Sequence, residues 1–290
     1  MNAKKLFLPS VLTIGQRPSR TQRAGRYTEE SMKHPAKMLP DLAAEVIGSF
    51  TKPGELVLDP MCGIGTTLVE SLHLGRSAVG MEYEPDFARM AADNLAHARA
   101  RGAKGEARVM CGDSRNIAST LASYRGEVSL VLTSPPYGAS THGHVKSFGL
   151  TGDAGVTKEN HRYSTDKRNL AHRPRAELLG GFGQILSGSA SLLRPFGVVA
   201  VTIRPIRVKG ELIDLPGLVI DTAHEAGLVL TNRLAALLCG VRDGELVNRT
   251  SFFQRIETKR ARAKGLPACA TAHEDLLIFQ TAADLKEVGR

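Results

Sequence analysis

The sequence Ser134-Pro-Pro-Tyr137 places a hydroxyl, two rigid prolines and a flat aromatic ring directly after an apolar run. That run, Val128 to Thr133, has the composition of a buried parallel strand. Because proline has no N–H for a sheet ladder, we expect the strand to end at Ser134. Ligands bind at the carboxyl ends of strands in open α/β sheets, so this corner is a candidate reaction site. A Pro-Pro turn with an incidental tyrosine is the alternative.

A second stretch, Asp59-Pro-Met-Cys-Gly-Ile-Gly-Thr-Thr67, joins a short apolar strand to a helix that begins near Thr66. In a strand–turn–helix of this kind, backbone N–H groups at the helix start face a ligand. Gly63 and Gly65 allow a tight turn and a close approach of the backbone to a bound molecule. Position 68 is Leu, so the third glycine of the dinucleotide fingerprint is missing. This disfavours a nicotinamide enzyme.

Two further strands are predicted to end in acidic residues at the same edge. Glu82 follows the strand Ser77 to Met81, where it can accept hydrogen bonds from ribose hydroxyls; an exposed strand-end carboxylate is the alternative. Asp113 ends a third strand, where it can accept from an adenine amino group or cap the next helix. A glycine turn and two carboxylates therefore indicate a nucleoside cofactor, and Ser134 to Tyr137 a reaction centre beside it.

Composition favours a folded protein with an acidic partner. The chain has 290 residues, 42% hydrophobic and 23% charged, with a net charge of +9. Such a balance suits a polyanion, although a basic surface without a target gives the same numbers. The four cysteines form no Cys-x-x-Cys pair, and no apolar run approaches membrane-spanning length. We therefore expect a cytoplasmic protein with no membrane association.

The positions of these motifs predict the organisation of the chain. Residues 1–33, with arginines at three-residue spacing, are expected to form an extended basic arm. Residues 34–280 form one domain, interrupted by a glycine- and histidine-rich loop at 138–176 that we interpret as a lid or substrate-contacting loop. Its histidines show no recurring ligand spacing, so no metal site is expected. The basic segment 240–272 is either a helix along a phosphate backbone or a solvated connection, and 281–290 is a loose tail.

Taken together, these segments resemble the S-adenosylmethionine-dependent amino-methyltransferases that act on DNA bases. Ser134-Pro-Pro-Tyr137 resembles their catalytic motif, Asp59 to Thr67 their cofactor motif, and His34 to Met38 the segment that packs over the methionine part of the cofactor. The resemblance covers roughly residues 31–137 and 178–280. It implies a Rossmann-like class I methyltransferase fold: a mostly parallel seven-stranded sheet with helices on both faces. Because the cofactor motif comes first, the chain looks circularly permuted relative to many relatives.

The resemblance also implies roles for individual residues. The catalytic positions are Ser134, Pro135, Pro136 and Tyr137. The positions that bind S-adenosylmethionine are His34, Pro35, Lys37, Met38, Asp59, Pro60, Met61, Cys62, Gly63, Gly65, Thr66, Thr67, Glu82, Tyr83, Asp113, Ser114 and Thr133.

Within that family, Ser at position 134 implies transfer to the N4 amine of cytosine in double-stranded DNA, with the base flipped out of the duplex. A role in restriction-modification follows from that activity. Adenine N6 and an RNA base are the alternative targets, and a nucleic-acid-binding protein that has kept only the fold is a third interpretation. The sequence leaves both a monomer and a homodimer open.

Overall fold

The computed structural model describes residues 8–34, 37–137, 144–147, 156–159, 166, 168–208, 210–250 and 252–288. In chain order its strands are β1 (Val11–Leu12), β2 (Leu56–Asp59), β3 (Ser77–Glu82), β4 (Ala107–Cys111), β5 (Val128–Thr133), β6 (His144–Ser147), β7 (Val156–Glu159), β8 (Leu193–Ile203), β9 (Ile206–Val208), β10 (Glu211–Ile213), β11 (Leu228–Leu237), β12 (Gly240–Arg242), β13 (Glu245–Val247) and β14 (His273–Thr281). Its α-helices are α1 (Ser19–Arg23), α2 (Pro40–Phe50), α3 (Thr66–His73), α4 (Pro85–Ala100), α5 (Ile117–Thr120), α6 (Arg175–Ala190), α7 (Leu215–Glu225), α8 (Phe252–Ala263) and α9 (Ala282–Val288).

Eight of these strands form one sheet in the order β1-β11-β14-β8-β5-β2-β3-β4. The last strand in the chain, β14, is antiparallel to both of its neighbours, whereas the other pairings in this sheet are parallel. All seven strands predicted from the sequence are present, which confirms the mostly parallel fold. The eighth, β1, was not predicted, because two residues are too short to show an alternating pattern.

The sheet carries a hydrophobic core on each face. Leu130 and Leu132 of β5 pack in one cluster with residues of α2, α3 and α4. Val131, between them, packs in the other cluster with residues of α6 and α7. Since successive side chains of a strand point to opposite faces, a wholly apolar strand is expected where helices cover both faces. This packing holds β5 rigidly and fixes the position at which Ser134 leaves the sheet.

The expected extended arm at the N-terminus is wrong for the described residues 8–33. Gln22, Arg23 and Tyr27 are buried, and the Tyr27 hydroxyl donates to Glu70 Oε1 at 2.7 Å. Arg26 forms an ion pair with the same carboxylate. The sequence of this segment is polar although it is buried, because its side chains form hydrogen bonds and ion pairs with residues far away in the chain. Residues 8–33 therefore form part of the domain.

Two other expectations need correction. The loose tail at 281–290 is wrong for residues 282–288, which form α9; its Asp284 accepts from the Phe196 backbone N–H at 3.0 Å. In the basic segment 240–272, a β12–β13 hairpin precedes the basic helix α8, and the contact of this helix with a phosphate backbone stays a prediction. Within 138–176, where no secondary structure was predicted, the described backbone pairs β6 with β7.

Candidate active site

The candidate site lies where parallel strands end at one edge of the sheet. The strand β2 pairs with β3 on one side and β5 on the other, with Leu58 opposite both Val79 and Val131. Parallel strands in this register bring the glycine turn after β2, the Glu82 end of β3 and the Ser134 corner after β5 to one edge. The sheet therefore assembles the three predicted elements.

The glycine turn after β2 requires its two glycines for backbone reasons. Gly63 and Gly65 have φ of 53° and 78°, a region that residues with a Cβ rarely adopt. A Cβ at Gly63 would lie 3.2 Å from His34 Nε2, so His34 packs directly on the turn. The Gly65 N–H donates to the Cys62 carbonyl at 2.7 Å and α3 begins at the next residue. The N-terminus of α3 therefore lies at the edge of the sheet where β2 ends.

Glu82 ties the turn to β3. Its carboxylate accepts from the Gly63 N–H at 2.8 Å and from the Glu84 N–H at 2.9 Å. Only 4% of the side chain is exposed, and this burial raises the pKa of Glu82 to about 7. Each oxygen keeps a second lone pair, so the fixed carboxylate can also accept hydrogen bonds from a ligand.

A second carboxyl, Asp59, lies beneath the same turn. It is buried and accepts from the Met61 N–H at 3.1 Å. Burial raises the pKa of Asp59 to about 6, and the hydrogen bond from Met61 opposes that rise. Two buried carboxyl groups with raised pKa values at one edge of a sheet mark a candidate functional site.

Two adjoining cavities open at this edge. The first has a volume of about 690 Å³ and lies between the glycine turn and the Ser134 corner. The second is smaller, about 50 Å³, and lies beside Glu82 and Asp113. Met61, Ser134 and Pro136 line both, so these residues form the wall that the cavities share. A ligand that extends from one cavity to the other would pass Ser134.

Most of the predicted site residues lie around these cavities. The first cavity contains His34, Lys37, Met38, Asp59, Met61, Cys62, Gly63, Thr66, Thr67, Ser134, Pro135, Pro136 and Tyr137. The second contains Pro60, Met61, Glu82, Tyr83, Asp113, Ser114, Ser134 and Pro136. Gly65 and Thr133 line neither cavity: Gly65 shapes the turn, and Thr133 is fully buried at the end of β5. Pro35 lies outside the described residues.

A short segment from the end of the 138–176 region lies across the smaller cavity. The Tyr83 hydroxyl donates to Asp166 at 2.7 Å, and the Asn169 amide donates to Glu84 at 2.6 Å. Arg168 and Leu170 line the cavity from the same segment. Binding of a nucleoside here requires this segment to move outward, because cavities that hold such ligands usually exceed about 300 Å³.

Asp113 was predicted either to bind adenine or to cap a helix, and the structure shows the second arrangement. Its carboxylate accepts from the Arg115 backbone N–H at 3.0 Å, at the start of a 3₁₀ turn. The Arg115 side chain also pairs with it, and this hydrogen bonding lowers the pKa of Asp113. Since Asp113 also lines the smaller cavity, its predicted contact with adenine stays a prediction.

The Ser134 corner contains a residue that the sequence reasoning missed. Arg204 follows β8 directly, and its Cζ lies 5.6 Å from the centre of the Tyr137 ring. Burial raises the pKa of Tyr137 further above its already high ordinary value. Glu274, at the start of β14, lines the same cavity and accepts from the Thr202 hydroxyl at 2.6 Å. The local sequence gives no signal for Arg204, because its place beside Ser134 depends on the register of β8 against β5.

Basic residues near the mouth of the larger cavity are held by protein acceptors. Arg17 pairs with Asp41 at 2.6 Å, and Arg249 donates to the backbone carbonyls of Gly15 and Gln16. Lys37 donates to the Met32 carbonyl at 3.0 Å, and burial lowers the pKa of Lys37 to about 8. These cations stabilise the N-terminal segment against the domain while making the cavity mouth positive.

Comparison with known proteins supports the family resemblance. Residues 11–93 match a family model described as DNA methylase. This match confirms the resemblance to amino-methyltransferases of the N4/N6 type and supports S-adenosylmethionine as the cofactor. It also includes the N-terminal segment that was expected to be a free arm.

Individual relatives match shorter parts of the chain. The tRNA (guanine(10)-N2)-dimethyltransferase of Methanocaldococcus jannaschii is 32% identical over 111 residues, 37% of this chain and 31% of that protein. The Type II methyltransferase M2.DpnII of Streptococcus pneumoniae is 36% identical over 63 residues, 22% of this chain and 24% of that protein. The chain thus matches less than a third of the length of either relative.

A solved structure shares the fold over most of the chain. TrmN from Thermus thermophilus has a TM-score of 0.50 and 17% sequence identity, covering 91% of this chain and 53% of that one.

None of the described helices has the length and hydrophobicity needed to cross a bilayer. Among the described residues, no cluster of three or more His, Cys, Asp or Glu side chains has a geometry suited to a metal ion.

Proposed function

We propose that this chain is an S-adenosylmethionine-dependent methyltransferase that modifies the N4 amine of cytosine in duplex DNA. The observation that carries the proposal is the wall shared by the two cavities. The cofactor residues predicted from the sequence surround both cavities, and Ser134 and Pro136 lie on the wall between them. A methyl donor that spans the cavities would therefore present its reactive centre beside Ser134.

The residues present fit such a cofactor. Because Gly63 has no side chain, the turn stays close to His34 and leaves its backbone open to the cavity that both residues line, and Glu82 can provide a fixed acceptor for ribose hydroxyls. The larger cavity lies within the range of about 300–1,000 Å³ that is usual for small-molecule sites. Its buried Asp59 complements the positive charge of the donor. When bound, S-adenosylmethionine supplies an electrophilic methyl group on a cationic sulfur that departs as a neutral thioether.

Ser134 and Pro135 have the groups needed to activate the target amine. The lone pair of an exocyclic amine is delocalised into the base ring, which makes the nitrogen a weak nucleophile. The Ser134 hydroxyl and the Pro135 carbonyl can accept its two N–H bonds and favour a pyramidal nitrogen with its lone pair aimed at the methyl group. The N–CH₃ bond then forms as the S–CH₃ bond breaks, and the amine releases one proton to solvent.

The base must leave the duplex to reach this corner, because chemistry on a paired base is sterically blocked. Tyr137 packs against the core cluster beneath α6 and β8, so its ring is held in place. A flipped base can stack on that ring with its amine towards Ser134. The basic helix α8 exposes Arg255, Lys259, Arg260 and Arg262, which can contact the phosphate backbone.

An RNA base is the second candidate target. It is favoured by the match to a relative named as a tRNA (guanine(10)-N2)-dimethyltransferase, which covers more of this chain than the match to M2.DpnII does. The amine chemistry at Ser134 is the same in both cases. The absence of a carboxylate or amide at position 134 favours cytosine N4 over adenine N6, following the family resemblance.

The test is to incubate the protein with labelled S-adenosylmethionine and either duplex DNA or tRNA, and to identify the modified nucleoside by mass spectrometry. We expect N4-methylcytosine from DNA. Ser134→Ala should keep cofactor affinity and lose transfer by at least about 100-fold. Ser119→Ala, an exposed serine outside both cavities, is the matched control. Modification of tRNA alone, or full activity in Ser134→Ala, would contradict the proposal.

A further inference from the structure

Arg204 differs from the other arginines of the larger cavity. Arg17 and Arg249 have protein acceptors, whereas the guanidinium of Arg204 has no hydrogen-bond or ion-pair acceptor among the residues that the structure describes. Its backbone is held in place, because Arg204 directly follows β8, whose last residue, Ile203, pairs with Asp275 of β14. The side chain is half-buried, lines the cavity and lies over the Tyr137 ring. A half-buried cation with five unused donors indicates an acceptor-bearing ligand.

The sheet register places Arg204 at a defined distance from Ser134. Thr133 of β5 is opposite Val201 of β8, so Ser134 is level with Thr202 and Arg204 lies two residues further along. With neighbouring strands about 4.8 Å apart and a rise of about 3.3 Å per residue, the two Cα atoms are roughly 8 Å apart. A base stacked on Tyr137 therefore has one end of its edge near Ser134 and the other within reach of the guanidinium.

We propose that Arg204 selects the target base by donating two hydrogen bonds to the adjacent N3 and O2 acceptors of cytosine. This inference rests on the proposed function, since it concerns the base whose amine is held at Ser134. On the pairing edge of cytosine, N4, N3 and O2 follow one another. Adenine offers N1 and then a C–H group, so the guanidinium fork finds only one acceptor. Guanine presents N1–H, which opposes the guanidinium donor to donor.

Glu274 favours a neutral base over a phosphate as the ligand of Arg204. The register of β14 with β8 places Glu274 opposite Arg204 on the same face of the sheet, yet the two side chains form no ion pair. The carboxylate is engaged by the Thr202 hydroxyl instead. Arg204 is therefore available to a ligand, and a phosphate would be repelled by the nearby carboxylate more strongly than a neutral base would be.

The experiment compares wild type with Arg204→Met and Arg204→Lys. The substrate is a duplex that carries a site mapped from the wild-type product, with cytosine, adenine or 3-deazacytosine at the target position. We expect Arg204→Met to lower kcat/KM for cytosine by about 5- to 150-fold, the range for one bidentate base contact, and to lower that for adenine far less. Removing N3 from the substrate should impair wild type but scarcely impair Arg204→Met. Arg204→Lys keeps the charge over Tyr137 and should lose most of the selectivity.

The controls separate selection from a structural role. Arg207→Met removes an exposed arginine of the adjoining β9 strand and should change neither selectivity nor rate. Cofactor affinity should be the same in all variants. If both bases are affected equally in Arg204→Met, the guanidinium contacts a phosphate or only supports Tyr137, and the inference is overturned while the proposed function stands. If wild type methylates no cytosine, the proposed function fails and this inference fails with it.

Discussion

The carboxyl of Glu82 should make the stability of the ligand-free protein fall as pH rises. Its pKa is about 7 in the folded chain, against 4.5 for an ordinary glutamate, because burial disfavours the charged form. Between these values the folded state holds a proton that the unfolded state has released. Stability is therefore fully present below about pH 4.5 and is lost as pH rises through 7. At about 1.4 kcal/mol for each unit of pKa difference, the loss is about 3 kcal/mol.

Glu82→Gln isolates this contribution. A glutamine side chain has the same shape as glutamate and keeps one acceptor oxygen. Its NH₂ group, however, faces one of the two backbone N–H donors that bind the carboxylate in the wild type. Leaving that N–H unsatisfied costs about 1–3 kcal/mol at every pH. The neutral side chain has no titration, so the difference in unfolding free energy between variant and wild type should change by about 3 kcal/mol from pH 4.5 to 7.5. The variant is the less stable protein at the acidic end.

Urea unfolding of the ligand-free protein at half-unit steps of pH measures this difference. Glu106→Gln is the matched control, since it removes one carboxyl from an exposed glutamate that lines neither cavity. The change of about 3 kcal/mol should be confined to Glu82→Gln. Asp59, the other buried carboxyl, is present in every protein of the comparison. Parallel curves for Glu82→Gln and wild type would refute the reasoning, since they would mean that Glu82 ionises in the folded chain as it does in water.

Three further outcomes are expected. Gly63→Ala should destabilise the protein by about 1–2 kcal/mol in urea unfolding and weaken cofactor binding in calorimetry, because φ at this position is 53°; unchanged binding would contradict the assigned role of the turn. Tyr83→Phe removes the hydrogen bond to Asp166 and should speed cofactor association, measured with labelled cofactor, because the segment over the smaller cavity opens more easily. Replacing exposed Lys259 and Arg260 by alanine should make the slope of log K for DNA binding against log salt concentration shallower, by the amount expected for about two phosphate contacts. Cofactor affinity should not change.

The parts of the site that follow from local sequence were predictable. A glycine turn after β2 and a Pro-Pro break after β5 each mark a strand end, and parallel strands bring such ends together. Arg204 was missed for a different reason: its significance depends on the register of β8 against β5, which no local pattern contains.

The N-terminal segment shows the limit of local patterns more clearly. Arg23 and Tyr27 are typical of a solvated arm, yet their partners Thr66 and Glu70 lie 43 positions later in the chain. Polar residues that satisfy each other at such separation leave no periodic signal. The helix α9 was missed similarly, since its Asp284 accepts from the backbone N–H of Phe196 in β8, which is 88 positions earlier.

Asn94 of α4 connects the beginning of the chain to the ligand site. Its amide donates to the Ile64 carbonyl within the glycine turn at 2.9 Å, while its oxygen accepts from the Thr28 backbone N–H at 2.8 Å. Tightening of the turn around a guest molecule would thus slow deuterium uptake at Thr28, although that amide belongs to a different segment. The protein has no tryptophan whose fluorescence could report binding. Hydrogen exchange at the Thr28 backbone amide can report instead whether the ligand site is occupied.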